Sequence, residues 1–183
     1  MIREFKVNKK NGDTVKIIMK ELDLAYIEKI MNLQENILNG IENKEIYAAS
    51  TTEEFEEVIL SKGKIIGCVT EEDDLIAMGV YVENGYGDHN YGYDLEIQGE
   101  ELLKVCQIES TVVDEVYRGN RLQKIICEII ENIARERKMK LITATASPYN
   151  PYSVNTFKGL GYEIKKDKLK YGGLRRYILA KNV

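Results

Sequence analysis

Proline is scarce, with two residues, and glycine contributes only 14, so collagen-like and proline-rich linker classes are excluded. Cysteine occurs three times, at Cys68, Cys106 and Cys127, far apart, odd in number and each within an apolar run. That arrangement offers no disulfide framework and no C-x-x-C metal pair, so no metal site is expected. The three read as buried free thiols in a reducing compartment, which points to the cytoplasm. No apolar stretch approaches the roughly 20 residues needed to span a bilayer. The segment Met1-Ile2-Arg3-Glu4-Phe5-Lys6 has no apolar core of a secretory signal. A basic surplus is also missing: 26 Lys and Arg stand against 30 Asp and Glu, a net charge of −4. Nucleic-acid binding is disfavoured on that ground. Mild acidity suits a cationic amine substrate, yet it is equally the balance of an ordinary soluble protein.

What is present is globular. The chain has 183 residues, 44% apolar and 31% charged, without repeats, low-complexity tracts or an internal linker. It is expected to form one domain over residues 1–183, of the α+β class, with a mixed, mostly antiparallel sheet flanked by helices. Residues 1–63 are expected to hold a β-hairpin and two helices. The hairpin spans 2–20 around Asn11-Gly12, a strong two-residue turn signal. A helix over 23–38 is capped by Asp23, with Leu24, Ile27, Ile30, Met31 and Leu38 at helical spacing. A second helix opens at Thr51/Thr52 with Glu54 in capping position and ends near Gly63. Residues 64–82 form an antiparallel hairpin, and 83–101, crowded with Gly and Tyr, form a long loop. From about 102 to 166 the pattern is β–α–β–α–β. It comprises a strand over 102–113, a helix over 120–138, a strand over 141–146, a short helix over 151–160 and a strand over 162–166. A last strand covers 175–180, and the lysine-rich run 165–170 is read as a solvated turn before it.

The informative stretch is Val112-Val113-Asp114-Glu115-Val116-Tyr117-Arg118-Gly119-Asn120-Arg121-Leu122-Gln123. An apolar strand feeds a polar turn and then a regular helix. Leu122, Ile125, Ile126, Ile129, Ile130 and Ile133 form its apolar face; Lys124, Glu128, Glu131, Asn132 and Arg135 form the polar one. Free N–H groups at such a helix start, with the positive end of the helix dipole, make an anion site suited to a pyrophosphate. Arg118 adds a cation, and Gly119 lets the backbone come close.

Val113 followed by Tyr117-Arg118-Gly119-Asn120 and an amphipathic helix resembles the acetyl-CoA loop of the GNAT superfamily of N-acetyltransferases, Arg/Gln-x-x-Gly-x-Gly/Ala. A second block of that family is matched by Asn150, Ser153, Phe157 and the pair Gly161-Tyr162. The element order also fits from about residue 14 onward. The resemblance implies a GNAT fold and transfer of an acetyl group from acetyl-CoA to a primary amine, by direct attack in a ternary complex. It implies cofactor contacts from Arg118, Gly119, Asn120, Arg121, Leu122 and Gln123, and from Asn150 and Ser153. It also implies that the strand end Thr111-Val112-Val113 bulges from its neighbour and pairs with the pantetheine arm. Two departures stand out. Arg121 and Gln123 occupy positions where the family prefers small residues; Arg121 either obstructs the cofactor or swings out to a phosphate. Phe157 stands where many members carry a tyrosine that protonates the leaving thiolate, and a phenyl ring has no proton to give.

Glu109 is an acid within an otherwise apolar strand, a placement that is costly unless it is paired or faces a cleft. Desolvation raises a carboxyl pKa, as suits a base near neutral pH. The resemblance implies that role for Glu109, against a plain paired or solvent-facing acid. Gln107 lies on the same strand face. Tyr152, on the first turn of the short helix, is the substitute for the missing acid; Tyr162 is expected to pack behind Gly161, and His89 to sit at the surface. Asn150 either holds pantetheine or caps its helix. A different class of function is a CoA-binding or interaction module without transfer chemistry, towards which Arg121 and Phe157 point. The acceptor, a small-molecule or peptide amine, is not specified by these residues, nor is the oligomeric state.

Overall fold

The run Leu75–Val82 contains no charged residue, and a strand of that composition needs cover on both faces. In the computed structural model, which describes residues 3–183, this strand is buried along its whole length near the middle of an eight-stranded sheet. Ile2, expected to begin the first hairpin, lies outside the described residues. The strands are β1 (Arg3–Asn8), β2 (Thr14–Leu22), β3 (Gly63–Thr70), β4 (Leu75–Val82), β5 (Val105–Val113), β6 (Leu141–Ala146), β7 (Glu163–Lys170) and β8 (Leu174–Asn182). Their order is β1-β2-β3-β4-β5-β6-β8-β7, with β5 and β6 the parallel pair and the others antiparallel. The helices are α1 (Ile27–Gly40), α2 (Thr52–Glu57), α3 (Leu122–Glu136) and α4 (Pro151–Gly159).

Each face of the sheet carries its own core. Ile66 and Cys68 belong to the layer that holds Ile126 and Ile130 of α3 and Phe157 of α4; Ile65 and Val69 belong to the layer that holds Ile30 and Leu33 of α1 and Phe55 of α2. Alternation along β3 therefore feeds two layers at once, which is why its sequence reads as a continuous apolar run. Thr51 and Glu54 form the reciprocal cap of α2. A single π turn, Val58–Lys62, then delivers the chain to Gly63, where a Cβ would lie 1.8 Å from the Tyr81 carbonyl oxygen.

Several boundaries differ from the sequence reading. A 3-10 turn, Leu24–Tyr26, precedes α1 and leaves Leu24 45% exposed, so it is not part of the apolar face. Residues Gly99–Lys104 form a 3-10 coil, and β5 starts at Val105 rather than 102. The first turn of α3 begins at Leu122, not Asn120. Glu131, assigned to the polar face, is buried; its carboxylate is held by Lys181 at 2.8 Å and Arg135 at 3.3 Å. Lys165–Lys170 is not a turn but the body of β7, the edge strand. Backbone pairing to β8 is enough to make it a strand, and exposed lysines on an edge discourage further pairing.

Candidate active site

The decisive geometry is where two parallel strands part. β5 and β6 pair from Val105↔Leu141 to Ile108↔Ala144 and no further. Beyond that point β6 follows β8, through Thr145↔Ile178 and Ala146↔Tyr177, while β5 follows β4, through Met78↔Val112 and Ala77↔Val113. A bulge drives the parting: Ser110 and Thr111 face one residue of β4, Gly79, and Ser110 takes a φ of +45°. α3 lies close above Gly79, where a Cβ would meet Ile126 at 2.5 Å. Residues 109–113 thus present backbone groups to a slot instead of a neighbouring strand, suited to an extended amide-bearing chain.

The slot opens into a cleft of about 1390 Å³. All the site residues expected from the sequence line it except Asn120. At one end lies the turn 118–121. Gly119 has a φ of +95° with nothing within 4 Å of an added Cβ, and Arg121 has a φ of +58°. The left-handed conformation of Arg121 gives a physical reason for a small residue at that position, since glycine adopts it without strain. Among the described residues, the N–H groups of Gly119, Asn120 and Arg121 donate to no backbone carbonyl, and those of Leu122, Gln123 and Lys124 open α3. These N–H groups gather around one turn, beside two exposed guanidinium-bearing residues, Arg118 and Arg121. The Asn120 side chain is turned away. It donates to the Asn8 and Tyr117 carbonyls at 2.7 and 2.8 Å and accepts from the Asn8 N–H, fastening the turn to β1.

Gln123 does more than the sequence suggested. Its Nε2 donates to Thr111 Oγ1 and to Ser153 Oγ, both at 3.1 Å, and so ties β5 to α4 across the slot. Asn150 caps α4 by accepting the Ser153 N–H at 3.2 Å, so the capping role is taken by its oxygen. Val112 is buried and Val113 half-buried; the Val113 carbonyl accepts from Arg118 Nε at 3.4 Å.

Glu109 faces this cleft deep on β5. Its Oε1 accepts from Gln107 Nε2 at 2.5 Å, and Gln107 Oε1 in turn accepts the Tyr91 N–H at 2.6 Å, which fixes the orientation of the amide. Burial holds the Glu109 carboxyl above the usual carboxylate range, opposed by hydrogen bonds from Gln107 and Tyr91. Next to it the Tyr91 and Tyr171 hydroxyls bond each other, and Tyr171 also meets Thr145 Oγ1 at 3.0 Å. Burial raises the pKa of both phenols, so they stay protonated at neutral pH. Neither tyrosine was singled out from sequence. The clustering of Tyr and Gly in residues 83–101 was the available signal for Tyr91; for Tyr171 there was none.

Tyr152 sits at the rim, 85% exposed, while Phe157 is buried edge-on against Tyr162, ring centres 5.2 Å apart. His89 is exposed at the cleft mouth. The three thiols are buried and unpaired; burial pushes those of Cys68 and Cys106 up to about 12, and that of Cys127 upward as well, which makes them inert. Among the described residues no helix is long and apolar enough to cross a membrane, and no cluster of three or more His, Cys, Asp or Glu could hold a metal.

Comparison with known proteins adds three findings. The model of the "Acetyltransferase (GNAT) family" matches residues 27–162. Among curated proteins no sequence match is found. Many solved structures share the fold. The ribosomal-protein-S18-alanine N-acetyltransferase of Escherichia coli superposes with a TM-score of 0.66 at 10% identity, over 91% of this chain and 93% of that one. The GNAT domain of S. lividans PAT gives 0.63 at 15%, over 98% and 97%. A GCN5-related N-acetyltransferase from Kribbella flavida gives 0.68 at 14%, over 91% and 98%. At such identities the likeness is one of fold.

Proposed function

This chain belongs to the GNAT acetyltransferase family, and from that premise we propose that it transfers an acetyl group from acetyl-CoA to a primary amine within a ternary complex. The observation that carries the reading is the meeting, at one cleft, of N–H donors in the turn 119–124, a strand end at 109–113 left unpaired on its β6 side and a buried carboxyl at Glu109. The donors at the helix start fit a diphosphate. Residues Thr111 to Val113 fit the amide-bearing arm, with Asn150 and Ser153 opposite. Bound acetyl-CoA supplies the activated acyl group.

Glu109 accepts the proton that the acceptor ammonium must lose before its nitrogen lone pair can attack. Backbone N–H groups of the parted β5 face the carbonyl oxygen as negative charge develops on it. The cleft holds amine and thioester together, which supplies much of the acceleration. The departing sulfur needs one proton; Tyr152, at the rim on the first turn of α4, stands on that side together with solvent. A thiolate is a good leaving group, so this proton matters less than the one taken by Glu109. Three buried free thiols support a cytoplasmic setting.

A CoA-binding module without transfer is the second reading, favoured by the Gln123 bridge across the slot and by Phe157 at the place of an acid. Calorimetry with acetyl-CoA tests the shared premise, and CoA release in the presence of an amine panel separates the two. Micromolar binding with amine-dependent release supports the enzyme. Binding without release for any amine favours the module, and no binding removes both.

A further inference from the structure

The β7–β8 hairpin is rich in cations, and nearly all are neutralised. Lys165 pairs with Glu163, Lys166 with Glu96, Lys168 and Lys170 with Asp94, Arg175 with Asp167 and Lys181 with Glu131. Arg176 is the exception, and it is also the buried one, at 3% exposure. Its Nη1 donates to the carbonyl oxygens of Glu45 and Arg175 at 2.7 and 2.8 Å. Its Nη2 is buried and has no hydrogen-bond partner. No carboxylate among the described residues forms an ion pair with it. A buried charge without a counter-charge is expensive, and such groups are ordinarily paired.

Its position gives the orphan nitrogen a use. Arg176 lines the same cleft as Glu109, and its guanidinium carbon lies 5.8 Å from the centre of the Tyr171 ring. The Tyr171 hydroxyl meets that of Tyr91, which neighbours Glu109. One aromatic pair thus separates an unsatisfied cation from the group assigned as base. Carbonyl dipoles satisfy Nη1 but bring no net charge, which leaves the guanidinium able to take an anion. One edge of a single guanidinium matches the two oxygens of a carboxylate, whereas a dianionic phosphate calls for more donors.

We propose that Arg176 is the anion anchor of the acceptor site, and that the acceptor is a small amine bearing a carboxylate, as in a free amino acid. This rests on the acetyltransferase reading, for which Glu109 marks the amine end and Arg176 marks the other.

The test compares matched amines that differ only by the carboxylate, lysine against cadaverine and tyrosine against tyramine, with the full chain and saturating acetyl-CoA. The wild type should favour the carboxylated member by about ten- to a hundredfold in kcat/KM, the range of one charge-assisted hydrogen bond. Arg176→Met should bring that ratio close to one, and Arg176→Lys should restore part of it. An independent arm needs no turnover: melting in sodium acetate against sodium chloride at equal ionic strength. Acetate should raise the midpoint of the wild type and not that of Arg176→Met. If Arg176→Met fails to fold, Arg176→Lys must still show a reduced acetate shift. Equal use of both members by the wild type, a preference kept in Arg176→Met, or equal acetate shifts would overturn the proposal. If acetyl-CoA does not bind, the acetyltransferase reading falls on its own, and the acetate arm still judges Arg176.

Discussion

Replacing Glu109 by Gln keeps the shape of the side chain and removes its charge. The glutamine oxygen can still accept from Gln107 Nε2, so the hydrogen bond that fixes the strand end survives and the fold should hold. Turnover should drop by roughly 10²–10⁴, the usual contribution of a positioned acid–base group. Acetyl-CoA affinity should barely change, because Glu109 is remote from the turn at 118–121. Burial places the native pKa of Glu109 above its unfolded value of about 4.3. The base acts when deprotonated, so wild-type kcat/KM should decline on the acid side below that raised pKa, and the variant should lack this limb. Stability gives a second reading. Between the unfolded and native pKa values the native state binds more protons than the unfolded state, so wild-type stability falls as pH rises through that window, by up to about 1.4 kcal/mol per pH unit. Above the native pKa the full loss is present; below about pH 4, where both states are protonated, it vanishes. Glu109→Gln should therefore be the more stable protein at pH 8, with the gap closing in acid. The assays are a pH–rate profile on any accepted amine and thermal melts at pH 4 and pH 8. Full activity with an unchanged acidic limb would refute the assignment and leave Glu109 a structural residue.

Gly119→Val should fold, since nothing lies within 4 Å of the added Cβ, at a strain of roughly 1–2 kcal/mol from the φ of +95°. It should weaken acetyl-CoA at least tenfold in calorimetry by covering the N–H donors; unchanged affinity in the folded variant would remove the diphosphate site. Gln123→Ala should raise acetyl-CoA affinity by up to about thirtyfold, because two neutral hydrogen bonds of roughly 1 kcal/mol each no longer close the slot. Weaker binding would show instead that the Gln123 amide holds the cofactor. Arg121→Gly should raise stability by about 1 kcal/mol by relieving the left-handed backbone, with affinity similar or slightly lower. A large gain in affinity would identify the Arg121 side chain as an obstruction and favour the module without transfer.

Local chemistry made much of this protein legible in its sequence. The period-two and period-3.6 patterns placed the hairpins and α3, because those periodicities are fixed by backbone geometry. Thr51 with Glu54 announced a helix start, since a capping box is made by residues three apart. The spacing from Arg118 to Gln123 pointed to a donor-rich turn between a strand and a helix. Where the sequence misled, the cause was a long-range partner. Lys165–Lys170 reads as a turn by composition and is a strand because β8 pairs with it. Glu131 reads as solvent-facing and is buried because Lys181, fifty residues away, comes to meet it.

Tertiary structure alone decided the rest. That β5 and β6 part after Ile108 follows from which strand each keeps as its neighbour, a choice made by the whole sheet. The bridge from Gln123 to Thr111 and Ser153 joins three segments that only packing brings within hydrogen-bond range. The pairing of Tyr91 with Tyr171 spans eighty positions, and the burial of Arg176 depends on packing that brings its Nη1 to the Glu45 carbonyl, 131 positions away. Residue types and local spacing set which elements form and what each face can do; distances between groups far apart in the chain exist only once those elements are packed, and the chemistry of the cleft depends on those distances.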